Sequence, residues 1–329
     1  MKTVGIVGSP GTTAPVFTAL TAMIGAPGSS NQAVIDVPDE RVEVLAELHS
    51  SRKRVYTQLR FVDVGGLVRR GARAGAGALS AELLGHLRTT DALMIVADAT
   101  GGDAEAGAGE LALELIYADL EPLKAKLERD RKGGREQART LEHLARAIEL
   151  LESGTALRDE TWEADALELF RGMGLLTLKP QIVVADVGDD PTTAVPEGML
   201  GVASTLETEV AGMEPDEAAE LLASYGAKER ALPTVIATIY RALELITFLT
   251  AGETESRAWE VRRGASAPEA AGVIHSDFQR GFIRAEVVAY DQLIAAGSWN
   301  AARAAGKVRQ EGKTYVVQEG DVVEFRFAV

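Results

Sequence analysis

Gly8-Ser9-Pro10-Gly11-Thr12-Thr13-Ala14-Pro15 lies between an apolar strand-like run and a helix-like one, the setting in which a phosphate-binding loop is found. A working loop of that kind has two glycines separated by four residues, then lysine, then serine or threonine. Counted from Gly8, the intervening residues are Ser9, Pro10, Gly11 and Thr12; the second glycine position holds Thr13, the lysine position Ala14 and the hydroxyl position Pro15. A β-branched residue resists the open backbone that glycine supplies. Alanine removes the cation that would neutralise the β- and γ-phosphates. Proline removes the magnesium-binding hydroxyl together with a backbone N–H that would point at phosphate. Each charge-assisted hydrogen bond contributes roughly 1.5–3 kcal/mol, so losing two or three weakens nucleotide binding by on the order of several hundred-fold or more. What remains is a helix N-terminus carrying the N–H groups of Gly11 to Ala14. It reads either as a plain strand–helix turn or as a loose seat for an anion.

A second group with chemical potential is basic. Lys124, Lys126, Arg129, Arg131, Lys132, Arg135 and Arg139 cluster about Gly133-Gly134. They read as an RNA or ribosome contact, or as the solvated end of a helix pair. Arg69, Arg70 and Arg73 sit in a glycine-rich stretch and either add to a basic face or keep a loop soluble. His49, His86, His143 and His275 have no metal-ligand spacing, and His275 is read as fixing a turn. Asp36, Asp39, Asp189 and Asp190 lack partners for acid–base work, and Trp162, Trp259 and Trp299 read as core or domain-contact residues. No residue is assigned a catalytic role.

The elements that must position these groups follow from hydrophobic period. Residues 3–8 read as a buried first strand. Val16, Ala19, Leu20 and Met23 line one face of a helix that starts near Pro15, and residues 25–33 read as loop. A helix is expected over about 39–49, and strands over Gln58–Asp63, Ala92–Asp98 and Gln181–Asp186. The near-continuous apolar runs suit a parallel sheet covered on both faces. Leu111, Leu115, Ile116, Leu120, Leu123 and Leu127, then Leu141, Leu144, Ile148 and Leu151, predict two long amphipathic helices around a Gly-Gly turn, an antiparallel hairpin interrupting the α/β domain. A last helix over 232–249 leads into a small α+β unit. There Ser266 and Glu269 form a capping box, and strands at Tyr315–Val317 and Val322–Phe327 are split by a turn at Glu319-Gly320-Asp321.

Composition sets outer bounds. The 329 residues suffice for two or three domains; 46% hydrophobic and 25% charged content describe a soluble globular chain. A net charge of −15 excludes bulk electrostatic coating of nucleic acid and leaves only local basic faces. There are no cysteines, hence no disulfides and no thiolate metal sites. No apolar run is long enough to span a bilayer and no signal peptide opens the chain, so the expected location is the cytoplasm, with no membrane partner.

Several ordered motifs carry a resemblance. They are Gly5-Ile6-Val7-Gly8-x-Pro10, Phe61-Val62-Asp63-x-x-Gly66-Leu67-Val68, Leu175-Leu176-Thr177-Leu178-Lys179-Pro180 and Phe248-Leu249-Thr250-Ala251-Gly252. The most specific run is C-terminal: Arg257-Ala258-Trp259, then Gly264-Ala265 through Asp277-Phe278, Gly281-Phe282-Ile283-Arg284-Ala285, Ala305-Gly306-Lys307 through Tyr315, and Gly320-Asp321-Val322. Across essentially its whole length the chain resembles the YchF family of Obg-like ATPases, P-loop proteins of the translation-factor class.

The resemblance implies an α/β fold with a P-loop-NTPase-like, mostly parallel sheet, an inserted helical coiled-coil hairpin and a C-terminal β-grasp unit, the TGS domain. The corresponding domains are 1–107 with 173–249, 108–172, and 250–329. It also implies ATP or GTP hydrolysis with magnesium, and association with ribosomes. Family-equivalent nucleotide-binding positions are Gly8, Gly11, Thr12, Thr13, Ala14, Pro15, Asp63, Gly66, Asp186 and Asp189, with Asp63 the metal candidate. The chain departs from the family at several of them. The base-recognition motif Asn-x-x-Glu becomes Asp186-Val187-Gly188-Asp189, and an Asp cannot donate as an Asn amide does. The first switch is deleted around Gly25–Ala33, leaving Ser29 and Ser30, and the segment from Pro191 to Gly201 is short. The expectation is therefore a degenerate nucleotide site, not an efficient NTPase, with no cofactor assigned, acting on ribosomes or RNA through the hairpin tip and TGS domain. Two alternatives stay open: an active or nucleotide-gated ATPase/GTPase with an unusual loop, and a scaffold for a protein partner unconnected with translation.

Overall fold

A computed structural model of the chain describes residues 1–8, 11–22, 31–65, 79–133 and 138–328. In chain order the first elements are β1 (Lys2–Gly8), α1 (Thr13–Thr21), β2 (Asn31–Asp36), α2 (Glu40–His49), β3 (Lys53–Val55), β4 (Gln58–Asp63), α3 (Ala81–Arg88) and β5 (Ala92–Asp98). The hairpin helices α4 (Ala104–Gly133) and α5 (Ala138–Glu152) follow, then α6 (Ala164–Arg171), β6 (Gln181–Asp186), β7 (Met199–Val202), α7 (Ser204–Val210), α8 (Pro215–Ser224) and α9 (Ala231–Ala242). The first sheet has the order β2-β4-β1-β5-β6-β7. β1, β5, β6 and β7 run parallel, with Gly8 beside Val96 and Asp98 beside Asp186. The apolar stretches of β1, β5 and β6 are mostly buried, as expected of strands covered on both faces, while β7 buries only Val202.

The second sheet closes the chain. Its elements are β8 (Leu245–Ala251), β9 (Glu255–Arg262), α10 (Ala267–Ile274), α11 (Ser276–Arg280), β10 (Phe282–Ala289), α12 (Tyr290–Ala296), α13 (Trp299–Ala304), β11 (Arg309–Glu311) and β12 (Asp321–Phe327). The order β11-β10-β12-β8-β9-β3 contains three antiparallel pairs, β8–β9, β10–β11 and β10–β12, with β12 parallel to β8 at the centre. This is β-grasp topology, extended by β3, which adds in parallel to the edge of β9. By internal contacts the chain forms two units: residues 2–34 with 60–235, and residue 1 with 35–59 and 236–329, so α2 and β3 belong with the C-terminal sheet.

Three local expectations need correction. The helix expected over 232–249 ends at Ala242, Glu244 turns with φ 53°, and Leu245–Ala251 is a strand. The run Leu245-Ile246-Thr247-Phe248 is β-branched and aromatic, and it is buried on both faces of the sheet. Tyr315–Val317 is not a strand; only Val316 bridges, to Ser266. Residues 31–33 are strand, not loop. β2 was illegible because only Ala33 of its six residues is buried. The capping box is present: Ser266 N and Oγ both donate to Glu269 Oε2, at 2.7 and 2.6 Å.

The hairpin helices share a seam of Leu120, Leu123, Leu127, Leu144, Ile148 and Leu151, continued by Leu157, Phe170 and Leu175 after the second helix. The turn joining them lies outside the described residues.

Candidate functional site

Gly8 ends β1 where the chain can tolerate no side chain. A Cβ there would stand 2.6 Å from the Val96 carbonyl oxygen, 2.8 Å from Thr12 Oγ1 and 2.9 Å from Thr13 Cγ2. The same numbers say that both threonine side chains fold back against Gly8. Thr12 and Thr13 are accordingly buried, at 7% and 3% exposure. Gly11 takes φ +92°, a left-handed conformation that favours glycine. Helix α1 begins at Thr13, and its first hydrogen bond runs from Val16 N to Thr12 O at 3.4 Å. Ala14 is half-buried and Pro15 exposed. Ser9 and Pro10 lie outside the described residues.

Asp63 closes β4, the strand beside β1, and is buried. Its Oδ2 accepts from Asn31 Nδ2 at 3.1 Å and its Oδ1 from Gly65 N at 2.9 Å. Each carboxylate oxygen is thus held by a donor of the chain itself. Gly66, Ser29, Ser30, Arg69, Arg70 and Arg73 lie outside the described residues. At the end of β6, buried Asp186 accepts on Oδ1 from Gly188 N at 3.0 Å and from Ser204 Oγ at 2.7 Å. Asp189 is exposed. Its neighbour Asp190 accepts from the hydroxyl and N–H of Thr192, which hold its carboxyl below the usual range. The Thr100 hydroxyl and N–H do the same for Asp98 at the end of β5. The fold therefore sets Asp63, Gly8, Asp98 and Asp186 along one sheet edge, outside the carboxyl ends of neighbouring strands, where open α/β sheets bind ligands. Among the described residues, no group of three or more His, Asp or Glu is placed to hold a metal ion.

Comparison with known proteins decides the family. The chain is 36% identical to the ribosome-binding ATPase YchF of Bacillus subtilis, over an alignment of 367 positions that covers 99% of each chain. It belongs to the YchF family. The Haemophilus ducreyi ribosome-binding ATPase YchF is 37% identical, over 91% of this chain and 89% of that one. The rice (subspecies japonica) Obg-like ATPase 1 is 34% identical, over 99% and 92%. A family model described as YchF-GTPase_C, a protein of unknown function (DUF933), matches residues 245–328. The solved structure of the Schizosaccharomyces pombe YchF GTPase superposes with a TM-score of 0.82 at 29% identity, covering 99% of this chain and 97% of that one. The P-loop-GTPase fold with an added C-terminal domain is therefore that of YchF.

In this YchF chain the hairpin cations are largely neutralised. Lys124 pairs with Glu152 at 2.7 Å, Lys126 with Asp130 at 2.8 Å and Lys132 with Glu128 at 3.4 Å, while Arg139 pairs with Glu163 and Asp165. Arg129 and Arg131 are exposed and carry no ion pair among the described residues; Arg135 lies outside them.

Sequence reasoning passed over Asn31, Ser204 and Asp119. Asp119, fully buried in α4, accepts from Leu176 N at 3.1 Å, Thr177 N at 2.8 Å and Thr177 Oγ1 at 2.8 Å, with Arg88 3.8 Å away. Burial pushes its carboxyl up despite those donors. Beside it Lys179 donates to the Arg88 carbonyl at 3.0 Å and to that of Thr90, and burial lowers its pKa. The Leu175–Pro180 motif is thus a fastening that ties the root of the hairpin to β5 and β6. One signal could have revealed it: Asp119 is a charged residue set four positions from both Leu115 and Leu123 on the apolar stripe.

Proposed function

We propose that this YchF-family chain is a ribosome- or RNA-associated binding protein whose phosphate loop is degenerate for nucleotide binding and hydrolysis. The family supports the first half, since its relatives carry the name ribosome-binding ATPase. The second half rests on one observation: the Thr12 hydroxyl and Thr13 methyl fill the space beside Gly8 that a Cβ there would take. A magnesium-bound triphosphate needs an ammonium at position 14, a metal-facing hydroxyl at 15 and an open loop around Gly8. Here stand an alanine, a proline and two folded-back threonines. Asn31 and Gly65 already occupy one lone pair on each Asp63 oxygen and compete with a metal's water shell for that carboxylate. The residues present do not fit that ligand.

In this reading contact is made by the hairpin, residues 108–172, and by the C-terminal β-grasp unit, read as a TGS domain, with Arg129 and Arg131 the cations best placed to meet phosphate. A second reading, a nucleotide-gated ATPase or GTPase with an unusual loop, draws on the retained Asp63 and on the relatives' ATPase and GTPase names. Calorimetric titration with ATP, GTP and their diphosphates in magnesium separates the two. No heat at micromolar concentrations is expected. A dissociation constant in the low micromolar range or tighter would overturn the degenerate-loop reading.

A further inference from the structure

Between Lys179 and Arg241 the chain carries only two cations, Lys228 and Arg230, in a stretch otherwise rich in carboxylates. Both line one cavity of about 430 Å³, in the range usual for small-ligand sites. Its walls come from β7, α7 and the connection between α8 and α9, all within one compact unit. Gly226 shapes that connection: it takes φ +86°, and a Cβ there would stand 3.0 Å from Thr192 Cγ2. The floor is aliphatic, with Met199, Leu200, Leu206, Leu222 and Val235, and among the described residues no aromatic ring lines it.

Four charged side chains line the cavity, and two of them are committed to each other. Glu207 is buried, and its carboxylate accepts from Arg230 Nε at 2.9 Å and from Ala231 N at 2.5 Å. Arg230 Nη2 donates to the Ala19 carbonyl at 3.1 Å, so the guanidinium is fastened on two sides. Its Nη1 has no hydrogen bond among the described residues, and the side chain is 31% exposed. A donor held in this way loses little freedom when a ligand takes it up. Lys228 and Glu229 are exposed and carry no ion pair among the described residues. With Glu207 and Arg230 cancelling, the rim keeps one free cation, one free carboxylate and one spare guanidinium nitrogen.

An occupant must match an aliphatic floor and a rim of both signs. An anion alone is repelled by Glu229, a cation alone by Lys228, and a flat ring finds no π face to stack on. A zwitterion with an aliphatic tail meets all three conditions. We propose that the cavity binds a free aliphatic α-amino acid of the leucine type. Its carboxylate meets Lys228 and Arg230 Nη1, its ammonium meets Glu229, and its side chain lies against Leu206 and Leu222. A peptide end carries only one of the two charges beside its terminal side chain, so the rim selects the free amino acid. The site uses none of the residues Gly8–Pro15 and does not rest on the degenerate-loop reading.

The test follows amide shifts of the isotope-labelled full chain as leucine is added. Saturable shifts with a dissociation constant below about 1 mM are expected, centred on residues 199–203 and 226–231. Leucinamide, without the carboxylate, and N-acetylleucine, without the ammonium, should each bind at least about threefold more weakly. Glycine, without the side chain, should bind at least about tenfold more weakly. Lys228→Ala and Glu229→Ala change exposed side chains and leave the fold intact, so they report on the rim alone. The first should narrow the gap between leucine and leucinamide, the second the gap between leucine and N-acetylleucine. No saturation by leucine below about 1 mM, equal binding of leucinamide, N-acetylleucine or glycine, unchanged gaps in the two variants, or shifts confined to other residues would each overturn the proposal.

Discussion

Thr13→Gly, Ala14→Lys and Pro15→Ser together would rewrite the N-terminal loop in the working phosphate-binding pattern. The gain can be worked from what each change supplies. Lysine at 14 adds one charge-assisted bond to phosphate, roughly 1.5–3 kcal/mol, while serine at 15 adds a hydroxyl and a backbone N–H at roughly 0.5–1.5 kcal/mol each. Glycine at 13 removes the methyl that presses on Gly8, at up to about 1 kcal/mol of lost helix propensity. The net is about 2–5 kcal/mol, or about 30- to several-thousand-fold in affinity. If the parent chain binds ATP at about 1 mM, the triple variant falls between tens of micromolar and a few tenths of a micromolar. It should also show weak magnesium dependence, because Asn31 and Gly65 compete with the metal's water shell for the Asp63 oxygens. Adding Asn31→Ala frees Asp63 Oδ2 and should strengthen that dependence. The assay is calorimetric titration of ATP into parent, triple and quadruple variants, with magnesium and with chelator. Strongly magnesium-dependent binding by the triple variant alone would refute the reasoning, since the Asp63 arrangement would then be no obstacle.

Asp119→Ala leaves Leu176 N, Thr177 N and Thr177 Oγ1 without their buried acceptor and should destabilise the unit that carries the hairpin by about 3 kcal/mol. Urea unfolding followed by Trp162, in a background with the other two tryptophans replaced, reads this; a loss under about 0.5 kcal/mol would contradict it. Burial raises the Asp119 pKa, so the folded chain holds that proton more readily than the unfolded one. Its contribution to stability is therefore greatest at low pH and falls as pH rises from about 3.9, the unfolded value, through the folded value. Asp119→Asn removes that slope, and an unchanged pH profile would contradict the assignment. Arg129→Glu with Arg131→Glu should weaken co-sedimentation with ribosomes at low salt and reduce the salt dependence by about two phosphate contacts. Lys124→Glu and Lys126→Glu should do less, their cations being paired with Glu152 and Asp130; equal effects from the two pairs would count against the role given to Arg129 and Arg131.

How far the sequence could be read follows from the range of the forces involved. β1, β4, β5 and β6 were legible because burial on both faces of a parallel sheet leaves a local apolar run, and the hairpin because its seam repeats at helical period. β8 was mistaken for helix because Leu245–Leu249 continues an apolar stripe that α9 begins; what ends the helix, the turn at Glu244, is a backbone event without a strong residue signature. The donors at the candidate site were illegible for another reason. Asn31 reaches Asp63 across 32 residues and Ser204 reaches Asp186 across 18, and no local spacing encodes either pair. In the proposed degenerate-loop reading, these donors account for the departures occurring together. A carboxylate at a strand end that does not face a ligand still needs partners when buried, because an unpaired charge there costs several kcal/mol. Asp63 is given an amide side chain and a backbone N–H, Asp186 a hydroxyl and a backbone N–H. In that reading, with Ala14 in place of the lysine and Pro15 in place of the hydroxyl residue, buried Asp63 and Asp186 still keep partners from within the chain.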